Sequence, residues 1–189
     1  MPPVRKQEKL LTTKKKKTVK QRVEEEVEKR KPPNARLYTL ELFILSGPMT
    51  EKFAKRNPII SCTINICGDQ TQENLHHTIF DAFGRFDEHM YEFPLGKGAN
   101  DPKGKRYVLP GAFELHCGEP GITGTLTHMT IDSLGLKVDQ AFGYWFDFGD
   151  AWWHQINVLA IDDKMPKGKY PKVVKRVGKS PPQYPDEEE

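Results

Sequence analysis

The run of residues 142–158, FGYWFDFGDAWWHQINV, constrains the fold of this chain more than any other stretch. Its two halves are rich in aromatic and β-branched residues, which favour strands, and they meet at Gly149 and Asp150, a pair typical of turns. Because both halves are apolar on alternate positions, the run predicts a β-hairpin buried at the centre of a sheet.

Side-chain alternation predicts the register of this hairpin. One face of each strand is almost entirely apolar. These faces comprise Phe142, Tyr144, Phe146 and Phe148 before the turn, and Trp152, His154, Ile156 and Val158 after it. A loop with an odd number of residues sets the two apolar faces opposite each other, whereas a two-residue loop sets the aromatics opposite Gln155 and Asn157. We therefore expect a three-residue loop, 149–151, with a bulge, His154 among apolar side chains, and Asp147 on the other face.

The rest of the chain supplies further strands and one clear helix. Thr71 is a typical N-cap residue, and an apolar stripe follows it at helical spacing, ending at Gly84. The stripe consists of Leu75, Ile79, Ala82 and Phe83. The remaining segments predict strands over 37–45 and 59–67, which pair antiparallel, a strand over 89–93, short β pieces over 107–109 and 113–115, and a helical turn over 132–134. We expect one α+β domain over 36–182, a mostly antiparallel sheet with the main helix packed on one face.

Charge separates the N-terminus from this domain. Residues 1–31 carry twelve Lys and Arg against five Glu, a net charge of +7, so a whole-chain charge of +3 leaves −4 on the remainder. The basic run includes Lys14, Lys15, Lys16, Lys17, Lys20 and Arg22. We expect residues 1–35 to be a flexible, partly helical arm that either binds polyanions such as nucleic acid without sequence preference or serves as a solubilising tail. Residues 183–189 read as a frayed acidic tail.

Several functional classes lack their signatures in this sequence. No run approaches the roughly 18 apolar residues of a membrane span, and the N-terminus has no apolar signal-peptide region. Its three cysteines have no CxxC spacing, which favours free thiols and a cytoplasmic location. Phosphate-binding glycine loops and a Gly-x-Ser-x-Gly elbow are missing, and Asp147-Phe148-Gly149 has none of the other motifs of a protein kinase.

A set of short motifs spread over residues 36–182 carries a family resemblance. The motifs are Leu75-His76, Ala82-Phe83-Gly84, His89-Met90-Tyr91-Glu92-Phe93, Asp147-Phe148-Gly149-Asp150 followed by Trp152 and His154, Tyr170-Pro171, and Pro181-Pro182. The set resembles an uncharacterised family typified by the third open reading frame of an Ri plasmid, whose members also occur as passenger proteins of mobile elements. The resemblance implies an α+β fold and no particular reaction. Many relatives continue the Pro-Pro pair with Glu-Asp-Cys-Gly-Gly, whereas this chain continues with Gln183-Tyr184-Pro185.

One group of polar residues could perform chemistry. It comprises His89, Glu92, Asp147, Asp150 and His154, with His76 or His77 nearby on the helix. Imidazole and carboxylate groups together bind divalent metals or transfer protons near neutral pH. No pair has a recognised metal-ligand spacing, however, and His89 and His154 both fall on aromatic faces, where histidines are more often structural.

Trp145 and Trp153 share the other face of the hairpin, beside Asp147. Two outward tryptophans indicate a partner surface, because large exposed apolar patches are uncommon on monomers, unless the helix covers them. The leading hypothesis is a non-catalytic binding or adaptor module with no metal and no cofactor, which contacts a protein partner through these tryptophans. The alternative is a metal-dependent or acid–base enzyme, acting on nucleic acid in a mobile-element context, with its site at the Asp-Phe-Gly-Asp-x-Trp-x-His turn. A third option is nucleic-acid binding by the arm alone.

Overall fold

The computed structural model of the chain describes residues 36–116, 118 and 121–185. The predicted basic arm and residues 186–189 lie outside this part of the chain. The described strands are β1 (Leu37–Ser46), β2 (Ser61–Cys67), β3 (Tyr91–Leu95), β4 (Lys105–Val108), β5 (Ile122–Thr125), β6 (Ala141–Phe146), β7 (Trp152–Asp162) and β8 (Lys172–Val177). They form one sheet in the order β5-β4-β3-β6-β7-β1-β2-β8, antiparallel except for the β4–β5 pair. The predicted α+β class is confirmed.

The β6–β7 hairpin lies near the middle of the sheet. Its apolar faces are paired, as predicted, but the register is two residues away from that of a 149–151 loop, and Phe148 leaves the apolar face to pack on Trp145. Phe146 lies opposite Trp152, and Tyr144 lies opposite His154. The loop has an odd number of residues but spans five, 147–151, instead of three. Asp147 and Ala151 adopt positive φ angles of 54° and 53°, which strands do not accommodate, so pairing stops before Phe148.

Helix α2 packs on one face of the sheet, which we call the helix face. α1 (Glu51–Arg56) precedes it and α3 (Pro110–His116) follows it, and α2 itself spans Gln72–Ala82. The Thr71 hydroxyl accepts the amide N–H of Asn74, and the Asn74 side chain accepts the N–H of Thr71, so both ends of a capping box are made. Gly84 follows the helix at φ 65°, a left-handed conformation that favours glycine.

The main core lies between α2 and the sheet. Leu75 and Ile79 of α2 contribute to it, together with the alternate aromatics of β6 and β7 and the apolar residues of β1 and β2. Trp152 is completely buried, with the guanidinium of Arg85 3.7 Å from its ring centroid. Burial of such large side chains is the main term that holds the helix on the sheet.

The second face of the sheet, which we call the open face, is not covered by α2. The loop between β3 and β4 crosses it at Gly143, where a side chain would collide with the backbone of Ala99. This close approach explains a glycine within an otherwise aromatic strand. Beyond that crossing, Trp145 and Trp153 lie on the open face.

Residues 113–115 were predicted as a β piece, and this prediction is wrong. They lie in α3, which begins at Pro110, because proline at the first helical position loses no backbone hydrogen bond and has a suitable φ angle. The predicted helical turn at Asp132–Leu134 is present as a 3-10 turn that ends at Gly135 with φ 65°. Among the described helices, none combines the length and the apolar content that a bilayer span requires.

Candidate functional site

His154 is a core residue. Only 1% of it is exposed, and its ring lies 5.5 Å from that of Phe83 and 5.1 Å from that of Tyr144. Its Nδ1 lies 3.3 Å from the carbonyl oxygen of Tyr144, so Nδ1 carries the proton and donates it. Burial, and then the nearby charge of Arg85, lowers the pKa of His154 to about 3. It is therefore a neutral imidazole at physiological pH.

Glu92 is committed to an ion pair on the open face. Arg106 donates from Nε to both carboxylate oxygens at 3.1 Å and from Nη2 to Oε2 at 2.7 Å. The carboxylate is 3% exposed, so this charge-assisted pairing offsets the cost of burying it. His154 and Glu92 lie on opposite faces, and the structure does not bring them together.

His89 and Asp147 do meet, on the edge of the helix face. His89 Nε2 lies 3.5 Å from Asp147 Oδ2, and the other carboxylate oxygen of Asp147 accepts the backbone N–H groups of Gly149 and Asp150 at 3.2 Å each. Asp147 leaves the strand at a positive φ angle, which is why its predicted position on the open face is not observed. An imidazole beside a buried carboxylate is an arrangement suited to accepting and releasing protons.

A second group of ligand-type side chains lies next to this pair. His76 and His77 of α2 approach Glu88 of the α2–β3 connection, and one ligand atom of each lies within 4.8 Å of the others. We call these three residues the histidine cluster. His76 Nε2 is 3.1 Å from Glu88 Oε2, and its Nδ1 is 2.7 Å from the hydroxyl of Tyr144. Glu88 was missed by the sequence prediction, because no spacing rule links it to a helix that ends six residues earlier.

The proton on His76 can be assigned from its partners. A carboxylate only accepts, so Nε2 donates to Glu88, and Nδ1 then accepts from the hydroxyl of Tyr144. Burial, and then the neighbouring His77, lowers the pKa of His76 to about 3. The ring also stacks on Tyr91, with centroids 3.6 Å apart and planes 5° apart. A shallow surface cavity of about 540 Å³, wide open to solvent, lies in front of the cluster.

The open face carries a second candidate site. Trp145 stacks on Trp153 with centroids 4.6 Å apart and planes 13° apart, and Phe148 lies 4.2 Å from Trp145. We call these three residues the aromatic platform. Phe148 is 37% exposed and also lines a half-open cavity of about 260 Å³, with Glu92 and Arg106 among the other lining residues.

A family model described as plasmid pRiA4b ORF-3-like protein matches residues 52–184. The chain belongs to this family. The match confirms the predicted resemblance, and the matched range includes the histidine cluster, the β6–β7 hairpin and the aromatic platform. A search of curated proteins found no match.

Among solved structures, this pRiA4b ORF-3-like chain is similar to the crystal structure of the protein of unknown function MM3350 from Methanosarcina mazei Go1. The TM-score is 0.55 at 19% sequence identity, with 76% of this chain and 70% of that chain covered. At this identity the similarity supports the fold alone.

The residues that depart from the expected pRiA4b ORF-3-like pattern, Gln183 and Tyr184, lie next to the histidine cluster. Gln183 accepts the backbone N–H groups of Phe86 and Asp87 on Oε1 and donates from Nε2 to the carbonyl of Asp87. The hydroxyl of Tyr184 lies 2.8 Å from His89 Nε2. Gln183 is 1% exposed, so these two residues, predicted to belong to a tail, pack against the α2–β3 connection and fix its shape.

Proposed function

We propose that this protein is a binding module that holds a partner polypeptide on the open face of its sheet. The observation that carries the proposal is the continuity of the aromatic platform with the adjoining cavity. Phe148 belongs to both, since it packs on Trp145 and lines the cavity. One surface therefore combines two half-buried tryptophans and the exposed Phe148 with a recess, and aromatic side chains beside a recess are typical of protein interfaces.

Exposure on this face supports the proposal. Leu45 lies in the β1 bulge beside Trp153 and is 53% exposed, and Phe148 is 37% exposed. When a partner covers neighbouring apolar groups of this kind, their surface is removed from water, and the free energy of this burial favours association. The other face of the hairpin is already buried beneath α2.

The chemistry of the cavity indicates what enters it. Val108, Ala112, Ile122 and Phe148 supply apolar wall, and the Glu92–Arg106 pair supplies the polar wall. An apolar side chain of the partner fits the first set, and the paired charges border it. The partner is therefore a polypeptide segment with an apolar anchor.

Site-specific photo-crosslinking tests this proposal. Benzoyl-phenylalanine replaces Phe148, and the full chain is irradiated in cells that express it. We expect one discrete protein adduct, and we expect Trp153→Ala to reduce its yield at least tenfold, because truncation of a central aromatic at an interface costs about 2 kcal/mol or more.

The matched control places the same photoreactive residue at Val174, which is 48% exposed on β8. Equal adducts at positions 148 and 174, or an adduct at position 148 that survives Trp153→Ala, would contradict the proposal. Thermal unfolding of each variant shows whether an observed loss reflects binding or misfolding.

A further inference from the structure

We propose that His76, His77 and Glu88 bind one divalent transition-metal ion, and that zinc is the ion that their chemistry suits best. The three residues supply two imidazole nitrogens and one carboxylate oxygen, all within 4.8 Å of one another. This site is separate from the aromatic platform, because α2 and the platform occupy different faces of the sheet. Either proposal can therefore fail without the other.

The distance between His76 and Glu88 already matches a coordination sphere. Zinc bonds of 2.0–2.1 Å in tetrahedral geometry separate neighbouring ligand atoms by about 3.3 Å. His76 Nε2 and Glu88 Oε2 are 3.1 Å apart. Zinc on Nε2 would therefore replace the shared proton, and the exposed Glu88 carboxylate would swing off the Nε2 axis to complete the coordination sphere.

The His76 ring has the outer contacts that typically orient a metal-bound histidine. Its Nδ1 is anchored by the Tyr144 hydroxyl at 2.7 Å, and its ring is fixed against Tyr91. When Nε2 binds a metal, the proton resides on Nδ1, and the Tyr144 oxygen accepts it, since a phenol hydroxyl can donate or accept. Such outer partners orient metal-bound imidazoles and raise their affinity.

The other two ligands have the freedom to close the site. His77 is exposed, and the side chain of Glu88 is 56% exposed, so both can change rotamer without disturbing the core. Three protein ligands leave a fourth position toward the cavity of about 540 Å³. Three ligands with one open position is the pattern of catalytic zinc sites, whereas structural sites have four protein ligands.

The donor set also selects the class of ion. Magnesium and calcium prefer all-oxygen sites, and two imidazoles with one carboxylate suit zinc and its transition-metal neighbours instead. Glu73 and His89 line the same cavity and can contact a water or small molecule on the open position.

Zinc titration of the untagged full-length chain tests the site. After treatment with EDTA and buffer exchange, isothermal titration calorimetry with zinc chloride should give one site per chain. We expect His77→Ala and Glu88→Gln each to weaken binding at least tenfold. The matched control is His128→Ala, which removes an exposed histidine elsewhere and should leave the dissociation constant unchanged.

Two results would overturn the proposal. One is the absence of saturable zinc binding, and the other is one-site binding that is unchanged in the His77→Ala, Glu88→Gln double variant, which would place the ion elsewhere. A competition with 1 mM magnesium chloride checks the class of ion, since displacement of zinc would contradict the imidazole-rich assignment. Circular dichroism of the variants excludes unfolding as the cause of a loss.

Discussion

His76 and His154 are both buried on the helix face, both contact Tyr144, and both have a pKa lowered to about 3, yet their surroundings differ. His154 lies wholly within the core, and its Nε2 has no hydrogen-bond partner among the described residues. His76 has partners on both nitrogens, and one of these partners, Glu88, reaches solvent.

The difference shows that burial of the ring does not by itself decide between a structural and a functional histidine. The surroundings of the ring Nε2 atom distinguish the two roles. In His154 the unprotonated Nε2 is enclosed by the core, so no ligand can reach it. In His76 the corresponding atom faces a carboxylate, a second imidazole and a cavity, so it can exchange a proton for a metal.

The largest predicted effect concerns the pH dependence of stability. The folded protein keeps His154 neutral down to about pH 3, whereas the unfolded chain protonates it near pH 6.5. The unfolded state binds more protons between these values, so this contribution to stability is present above pH 6.5 and is lost as the pH falls. His154→Leu should remove about 3 kcal/mol of the destabilisation that wild type shows between pH 7 and pH 4.

Urea unfolding of wild type and His154→Leu between pH 7 and pH 4 measures this difference in the free energy of unfolding. Titratable groups that both proteins share, including His76 and Arg85, contribute equally to both curves and cancel. Parallel stability curves for wild type and His154→Leu would show that His154 is protonated in the folded state as readily as in the unfolded chain. The comparison of the two histidines would then fail.

A smaller effect is expected for Tyr144→Phe, which separates the two histidines. The variant removes the hydroxyl that holds His76 Nδ1 but keeps the backbone carbonyl that accepts from His154. Leaving a buried nitrogen without its partner should lower the free energy of unfolding by about 1–2 kcal/mol at pH 7. Equilibrium unfolding in urea measures this change.

Tyr184→Phe provides the matched control for the loss of a phenol hydroxyl. Tyr184 is 41% exposed and bonds His89 and Asp87 at the surface, so its effect should stay below about 0.5 kcal/mol. An equal loss in both variants would mean that the Tyr144 hydroxyl has no special role for His76.

The hairpin illustrates what could be predicted from sequence. That His154 shares the apolar face with Tyr144 follows from a side-chain period of two, so the burial of His154 could be predicted from alternation alone, although its exact partner could not. The loop length could not, because it depends on Asp147 and Ala151 adopting left-handed backbone angles that sequence propensity does not favour for alanine.

The histidine cluster lay beyond sequence patterns for a different reason. His76 and Glu88 meet only because the connection after Gly84 turns back along α2, and Gln183, almost a hundred residues later, fixes that connection. The pairing of Glu92 with Arg106 likewise depends on the β3–β4 register. Long-range packing of this kind leaves no periodic signal in the local sequence.

The most direct test of the contrast between the two histidines is nuclear magnetic resonance of the imidazole nitrogens. Long-range proton–nitrogen correlation spectra would be recorded before and after one equivalent of zinc chloride. We predict that His76 and His77 change their nitrogen shifts, with the His76 proton moving from Nε2 to Nδ1, while His154 keeps its proton on Nδ1 throughout. A response of His154, or no response of His76 and His77, would contradict the assignment of one histidine to the core and the other to a metal site.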